Sequence, residues 1–472
     1  MRRQILRVGR PTLLISCLVF LAFLFITRFS FQDFFISQQK KLDASNRLRQ
    51  VYDRLSGKQT AQTTLVLFAN NAEQRTGGGF IGTAGILKGS QGVLKLDSVR
   101  SVYYYDHRLE DKSPFIEPPD YLRGLTSTIL TRDSLVDYRM ADNCNLARDL
   151  FARETGVFAD NVVIITPNIA KSFLDIIGPI ELPEYNIIAR SDTLMNDIQI
   201  EVESGDDKQA GKDPKTILSV LTGKIIERIP TLTIEQIGQL LDEMPKQFVA
   251  RQIYVSSSDH FVDRTLAVLQ DSIAVPGSPA TILVTAANHA ANKSSQAIVQ
   301  SLKADLFIAE DGTAKVSMAI KRQHTSDYYR PYIDPRDNTR RWLIGDDLSW
   351  VQVVLPRGSE IAEDQGWRMM SDKSSVAVTA GRSLKLTPKS EQTILLSYTP
   401  KERYVLSDKL VIKQAFLAQF GWYGQNIDFR VHVPSGYRLI SGDGQESDDR
   451  QGAFYKGFQV TDKAVDFVFK RT

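Results

Sequence analysis

The chain has 472 residues, 42% hydrophobic and 24% charged; this composition excludes wholesale disorder and suggests about three domains at ~150 residues each. Its 58 Lys and Arg are interleaved with 55 Asp and Glu for a net charge of +3, which excludes the basic face of a dedicated nucleic-acid binder. Two cysteines, Cys17 and Cys144, exclude a disulfide framework and any thiolate metal cluster.

Residues Pro11 to Thr27 read PTLLISCLVFLAFLFIT without a charge, preceded by Arg2, Arg3, Arg7 and Arg10 and closed by Arg28. At ~1.5 Å per residue this helix reaches about 25 Å, and the phenylalanines that follow extend it into the membrane interface. No small-residue cleavage site follows, so residues 11–29 are expected to be an uncleaved transmembrane signal anchor, not a cleaved signal peptide. The four leading arginines place residues 1–10 in the cytoplasm and the bulk of the chain outside. Cys17 is then a lipid-facing small residue, and Cys144 a buried hydrophobe with no internal partner.

Residues 30–60 are expected to form a helical stalk, with Ile36, Leu42, Leu48, Val51 and Leu55 as its apolar stripe and Gly57 as its stop. Thr64–Ala69 (TLVLFA) and Val162–Thr166 (VVIIT) are all-apolar runs typical of strands buried on both faces. Phe80–Lys88 and Val93–Tyr105 read as further strands around the turn at Ser90–Gly92. Asn143–Glu154 and Ile169–Ile177 have helical spacing, the latter stopped by Gly178-Pro179. Two more helices begin near Ile217 and Ile234, after a polar loop at Ser204–Pro214. Strands alternating with helices predict an extracytoplasmic α/β domain over 61–290 with a partly parallel sheet. Beyond it the period changes to two, as in Val316/Met318/Ile320, so 291–472 is expected to be an all-β sandwich-like region of one or two modules. An echo between Val353–Gly358 (VVLPRG) and Val431–Gly436 (VHVPSG) fits either a duplication or a shared way of ending strands.

Three polar clusters are candidate site elements. The first is Asn70–Gly82, NNAEQRTGGGFIG. Its Gly77, Gly79 and Gly82 match G-x-G-x-x-G, but the residues after them alternate like a strand, and no Gly-Lys-Ser/Thr follows; neither a dinucleotide fingerprint nor a P-loop is satisfied. Loops at strand ends of α/β sheets bind ligands. Gly77, Gly78 and Gly79 would offer backbone amides to an anion, Arg75 would grip phosphate or carboxylate, and Asn70 and Asn71 would flank it. Glu73 would hold a divalent cation; the alternative is an internal Glu73–Arg75 ion pair. The second cluster is Tyr103–Arg108 (YYYDHR), whose Asp106 is a candidate ligand for Mg²⁺ and whose His107 is a candidate acid or base. The third is Asp137–Asn145 (DYRMADNCN), with Arg139, Asp142 and Asn143 ahead of a helix that Asp142 or Asn143 would cap.

These residues carry a resemblance. LVLFANNAEQRTGGGFIG resembles the signature of a bacterial family of membrane-anchored proteins classed as a domain of unknown function, matched here by Asn70, Asn71, Glu73, Arg75, Gly78, Gly79, Phe80, Ile81 and Gly82. VVIITPNIAKSFLDIIGPIEL (Val162–Leu182), ANHAANKS (Ala287–Ser294) and WVQVVLPRGSEI (Trp350–Ile361) also fit that family. The α/β half is remotely similar to the LytR–CpsA–Psr family, which transfers polyprenyl-phosphate-linked glycopolymers to the cell wall using arginines, an Asp and Mg²⁺. That resemblance implies a mixed sheet with helices. The family's Arg-Ser-Asp-Thr follows the first strand, where this chain has Arg75–Gly79 without the Asp; RSDTLM at Arg190–Met195 comes too late in chain order. The expectation is therefore a cell-envelope protein with a non-catalytic binding or scaffold role towards envelope glycopolymers or partner proteins. The alternative is a Mg²⁺-dependent transferase acting on polyprenyl-phosphate-linked glycopolymers. No nucleic-acid partner is expected.

Overall fold

The computed structural model describes residues 38–108, 116–228, 231–270, 274, 280–362, 366–370, 376–448 and 451–472. The expected anchor at 11–29 lies outside them, and among the described residues no helix is long and apolar enough to cross a membrane.

Helix α1 (Gln38–Leu55) is the outer part of the expected stalk. It stops where Gly57 adopts φ 65°, a conformation open to glycine, and where a Cβ would lie 2.3 Å from the Gly89 carbonyl oxygen. Strands β1 (Gln62–Arg75), β2 (Gly78–Ser90) and β3 (Val93–Ser101) follow as an antiparallel meander. The run TLVLFA thus lies in a strand that continues through the Asn-Asn motif, and the glycine loop reduces to a tight turn at Thr76-Gly77. The strand expected over Val93–Tyr105 ends early, in a single helical turn at Tyr103–Asp106.

The chain then forms α2 (Met140–Thr155), β4 (Asn161–Ile165), α3 (Pro167–Ile177), β5 (Ile180–Leu182), β6 (Ile187–Ala189) and α4 (Leu194–Ser204). Next come α5 (Thr216–Arg228), α6 (Ile234–Val249), β7 (Ile253–Ser257) and α7 (His260–Gln270). Local chemistry sets several ends: Gly156 closes α2 at φ 74°, Gly178 closes α3 at φ 84°, and Thr233 and Gln236 form a capping box before α6. The five-stranded sheet has the order β3-β2-β1-β4-β7, with β1 and β4 its parallel pair. Side-chain alternation along β1 divides the domain. Leu65, Leu67 and Ala69 face α2 in one core, whereas Val66 and Phe68 face the layer that holds α1 and α3 to α7.

The remaining strands are β8 (Thr281–Asn288), β9 (Ile298–Ile308), β10 (Ala314–His324), β11 (Arg330–Asp334), β12 (Thr339–Ile344), β13 (Asp347–Pro356), β14 (Glu360–Ile361), β15 (Arg368–Met370), β16 (Ala377–Leu386), β17 (Glu391–Thr399), β18 (Lys409–Leu417), β19 (Gln425–His432), β20 (Tyr437–Gly442), β21 (Gln445–Glu446), β22 (Gly452–Gln459) and β23 (Lys463–Arg471). All but β11 and β12, which pair with each other, form two seven-stranded sheets, β15-β16-β13-β8-β18-β23-β20 and β14-β17-β10-β9-β19-β22-β21, and neither closes. One hydrophobic core receives side chains from both, for example Val353, Ile412 and Phe467 from the first and Leu306, Ile320 and Phe429 from the second. The β-rich region therefore begins at β8, ahead of residue 291. The two Pro-x-Gly strand ends lie in different sheets, β13 and β19, and Gly358 and Gly436 take φ of 79° and 83°. Their likeness reflects strand termination. The second face of β13 is also buried: Trp350 packs with Tyr121 and Leu150 of the α/β half.

Candidate functional site

The three polar clusters send Glu73, Arg75, Asp106 and Asn143 into the interior, whereas Tyr103, His107, Arg108 and Asp142 stay exposed. Between Asn70↔Phe80 and Gln74↔Gly79 the β1–β2 register jumps, so Asn71, Ala72 and Glu73 bulge from the ladder. The bulge docks on the β-rich region. Asn71 Nδ2 donates to the Gly421 carbonyl (2.8 Å), and the Gln74 amide to Ser295 Oγ (3.3 Å). Gln419 Nε2 donates to the Arg75 and Ala286 carbonyls at 2.7 and 2.9 Å. Asn70 stays at the edge, where its Oδ1 accepts from the Ala72 amide.

Arg75 is 3% exposed; its Nη2 pairs with Glu73 at 3.1 Å and Asp133 at 3.7 Å, and its Nη1 donates to the Asn288 carbonyl. Of the three glycines only Gly78 faces the β-rich half; Gly77 and Gly79 pack within their own half. A Cβ on Gly77 would meet Asn143 Nδ2 at 2.1 Å, one on Gly78 would meet the Phe420 ring at 2.6 Å, and one on Gly79 would meet the Asn70 backbone at 2.5 Å. The Gly77 amide already donates to the Leu135 carbonyl. The anion cradle expected from Arg75 and Gly77–Gly79 is thus corrected: these groups are engaged by internal contacts, those of Gly77 and Gly79 within the α/β half and those of Gly78 with Phe420 and of Arg75 with the Asn288 carbonyl across to the β-rich half.

Asp106 and Glu73 do not make a metal site. Asp106 is fully buried, pairs with Arg132 at 3.1 Å and feels the charge of Glu154 nearby. Burial and the neighbouring Glu154 hold it well above the ordinary carboxylate range. Both Glu73 oxygens are engaged, one by Arg75 and one by Lys293 at 2.5 Å. Burial would raise Glu73, but Lys293 and Arg75 overcome that and hold it below its usual value. Among the described residues no three His, Cys, Asp or Glu side chains converge to hold a metal ion. Asn143 is a brace: its side chain exchanges two hydrogen bonds with the Asp137 backbone, and α2 starts at Met140, three residues before it. Arg139 pairs with Asp137 at 2.8 Å and Asp142 at 3.2 Å. His107 is exposed near the Tyr103 ring. Cys144 is buried, and burial pushes its thiol far above the usual range.

The accessible feature is a cavity of about 1100 Å³ between the sheet and the helical layer. Val66, Phe68, Val163 and Ile165 form its floor, α3 and α5 its walls, and Val51 and Leu55 of α1 close one side. At one end the lining becomes charged. Glu73 pairs with Lys293, which reaches Glu203 at 3.8 Å; Lys208 joins Glu203 (3.2 Å) to Asp334 (3.5 Å). Arg336 and Arg341 bind Asp334 in turn, at 2.7 and 3.2 Å. The last two arginines belong to the β11–β12 ribbon, a two-stranded piece outside both large sheets that lies against α4 through Tyr332–Glu203 and Arg330–Asn196 contacts. Lys215 also lines this end; its Nζ donates to the Gly82 carbonyl and sits 5.1 Å from the Tyr103 ring centre. Sequence reasoning missed Lys215, Lys293, Lys208 and Glu203. The ANHAANKS motif that contains Lys293 was the available signal, since it meets the Asn-Asn motif directly.

Residues 59–197 match a family described as a protein of unknown function, DUF4012. No curated protein matches the chain. Among solved structures, a transcriptional regulator from Enterococcus faecalis is 12% identical, with 46% of this chain and 74% of that one covered and a TM-score of 0.26. A Streptococcus agalactiae protein is 9% identical over 46% and 75%, with a TM-score of 0.27. A Listeria innocua protein is 11% identical over 44% and 78%, with a TM-score of 0.24.

Proposed function

We propose that this is a membrane-anchored, extracytoplasmic cell-envelope protein that binds and does not transform its ligand, and that its α/β domain takes the long apolar chain of an envelope amphiphile. The observation that carries this reading is the cavity of about 1100 Å³, apolar over most of its wall and charged at one end. An apolar space of that size suits a ligand with a hydrocarbon chain, whose atoms would make dispersion contacts with its walls. Its position suits a membrane protein: α1, whose Val51 and Leu55 line it, follows the expected anchor at 11–29. The remote similarity to LytR–CpsA–Psr proteins suggests a polyprenyl chain as the occupant, and envelope glycopolymers as what that chain carries. The Glu73–Arg75–Asp133 cluster is engaged internally, which favours binding over Mg²⁺-dependent transfer.

Native mass spectrometry of the full chain, extracted from its membrane in mild detergent, tests this. The expected spectrum contains a co-purified lipid that is lost when Ala170 on the cavity wall is replaced by Trp. A folded wild-type protein that carries no lipid and takes up none from added prenyl or acyl amphiphiles would overturn the reading.

A further inference from the structure

We infer that Lys215 is the residue that reads the ligand's head group, and that this head carries an anion, a phosphate or a carboxylate. This rests on the amphiphile-binding reading and goes beyond it by assigning the head-group chemistry to one side chain.

The cations lining the charged end are Lys208, Lys212, Lys215, Lys293, Arg336 and Arg341. Five of them have a carboxylate within 4.0 Å: Glu203 and Asp334 for Lys208, Asp207 for Lys212, Glu73 and Glu203 for Lys293, and Asp334 for both arginines. Each of the five thus already has a carboxylate partner within the protein. Among the described residues no carboxylate lies that close to the Lys215 ammonium, whose one hydrogen bond is to the Gly82 carbonyl; the Asp213 carboxylate is taken by the Lys215 backbone amide at 3.0 Å. An ammonium has three donors, so two remain for a ligand. The Phe80 and Tyr103 rings lie 6.0 and 5.1 Å away and hold the ammonium in place without neutralising it. The Tyr103 hydroxyl, on the same cavity wall, makes no hydrogen bond to the described residues and supplies a second donor.

Burial and the charge of Lys293 lower the Lys215 ammonium to about 8, against the opposing pull of Asp213, Glu203 and Glu73. Lys215 is half-buried, so its ammonium is only partly solvated, and an anion placed against it offsets that loss of solvation. A single lysine without a bidentate arginine suits a compact anion.

The test measures binding of farnesyl phosphate, palmitate and farnesol to the full chain in detergent at pH 7, for wild type, Lys215→Met and Lys215→Arg. Wild type is expected to bind an anionic amphiphile at least about tenfold more tightly than farnesol. Lys215→Met should bind farnesol as wild type does, which shows that it is folded, and should lose the preference; Lys215→Arg should keep it. A preference for farnesyl phosphate over palmitate would assign the head to a lipid phosphate, and the reverse order to a fatty acid. Equal binding of anionic and neutral amphiphiles by wild type, or a preference that persists in Lys215→Met, would overturn the inference while leaving the amphiphile reading intact. Binding of none of the three would overturn the reading on which it rests.

Discussion

Arg75 shows how one side chain changes meaning with its surroundings. A guanidinium beside three glycines at a strand end has the chemistry of an anion site, yet here Glu73, Asp133 and the Asn288 carbonyl engage its two Nη atoms inside the protein. The neighbouring Asp106–Glu154 pair offers a test of the buried network. A carboxyl whose folded value is raised binds its proton more tightly when folded, so it favours folding below its unfolded value and loses that contribution as pH rises through the folded value. Wild-type stability should therefore decline from pH 4 towards pH 8 in part through Asp106. Asp106→Asn should flatten that decline and gain about 1–2 kcal/mol at pH 8, read by denaturant unfolding across pH. A variant whose pH profile parallels wild type would contradict the assignment.

At the scale of elements, the β1 bulge and the β1–β2 turn form a joint with β8, the segment at Ser295 and the residues around Gln419. Gly78→Val would drive a branched side chain into the Phe420 ring of the β-rich half, 2.6 Å from where its Cβ must sit, at a φ of 131°. Overpacking of this kind costs about 1–3 kcal/mol or more, so a lower thermal midpoint is expected, with the α/β and β-rich halves melting separately in calorimetry. A glycine kept for ligand approach would leave the midpoint unchanged on substitution. Much of the element pattern was legible: TLVLFA and VVIIT as buried strands, Gly178-Pro179 as a helix stop, and the shift to period two. The strand expected over Val93–Tyr105 was too long, because aromatic residues suited to a strand form a helical turn at Tyr103–Asp106. The joint was not legible for a different reason. Close approach of backbone to a ligand and of backbone to another segment demand glycine equally, and the partner of Glu73, Lys293, lies 220 residues away. The cavity was hidden as well, since apolar residues that line a space have the same period as those that fill a core.

For the whole molecule, the order of the parts gives the account its coherence. An expected anchor leads into α1, α1 helps to wall the cavity, and the β-rich half locks the signature strand and sends the β11–β12 ribbon over the charged end. Alternating charges run without a break from Asp133 through Arg75, Glu73, Lys293, Glu203 and Lys208 to Asp334, so the two halves share one electrostatic framework around the cavity mouth. On the proposed function, a long apolar chain occupies the space between the sheet and the helices. Photolabelling of the full chain in its native membrane with a diazirine-bearing prenyl phosphate, followed by peptide mapping, tests it most directly. The account predicts label on the β1 segment containing Val66 and Phe68 and on α3. Label confined to the β-rich sheets, or spread evenly over the surface, would contradict it.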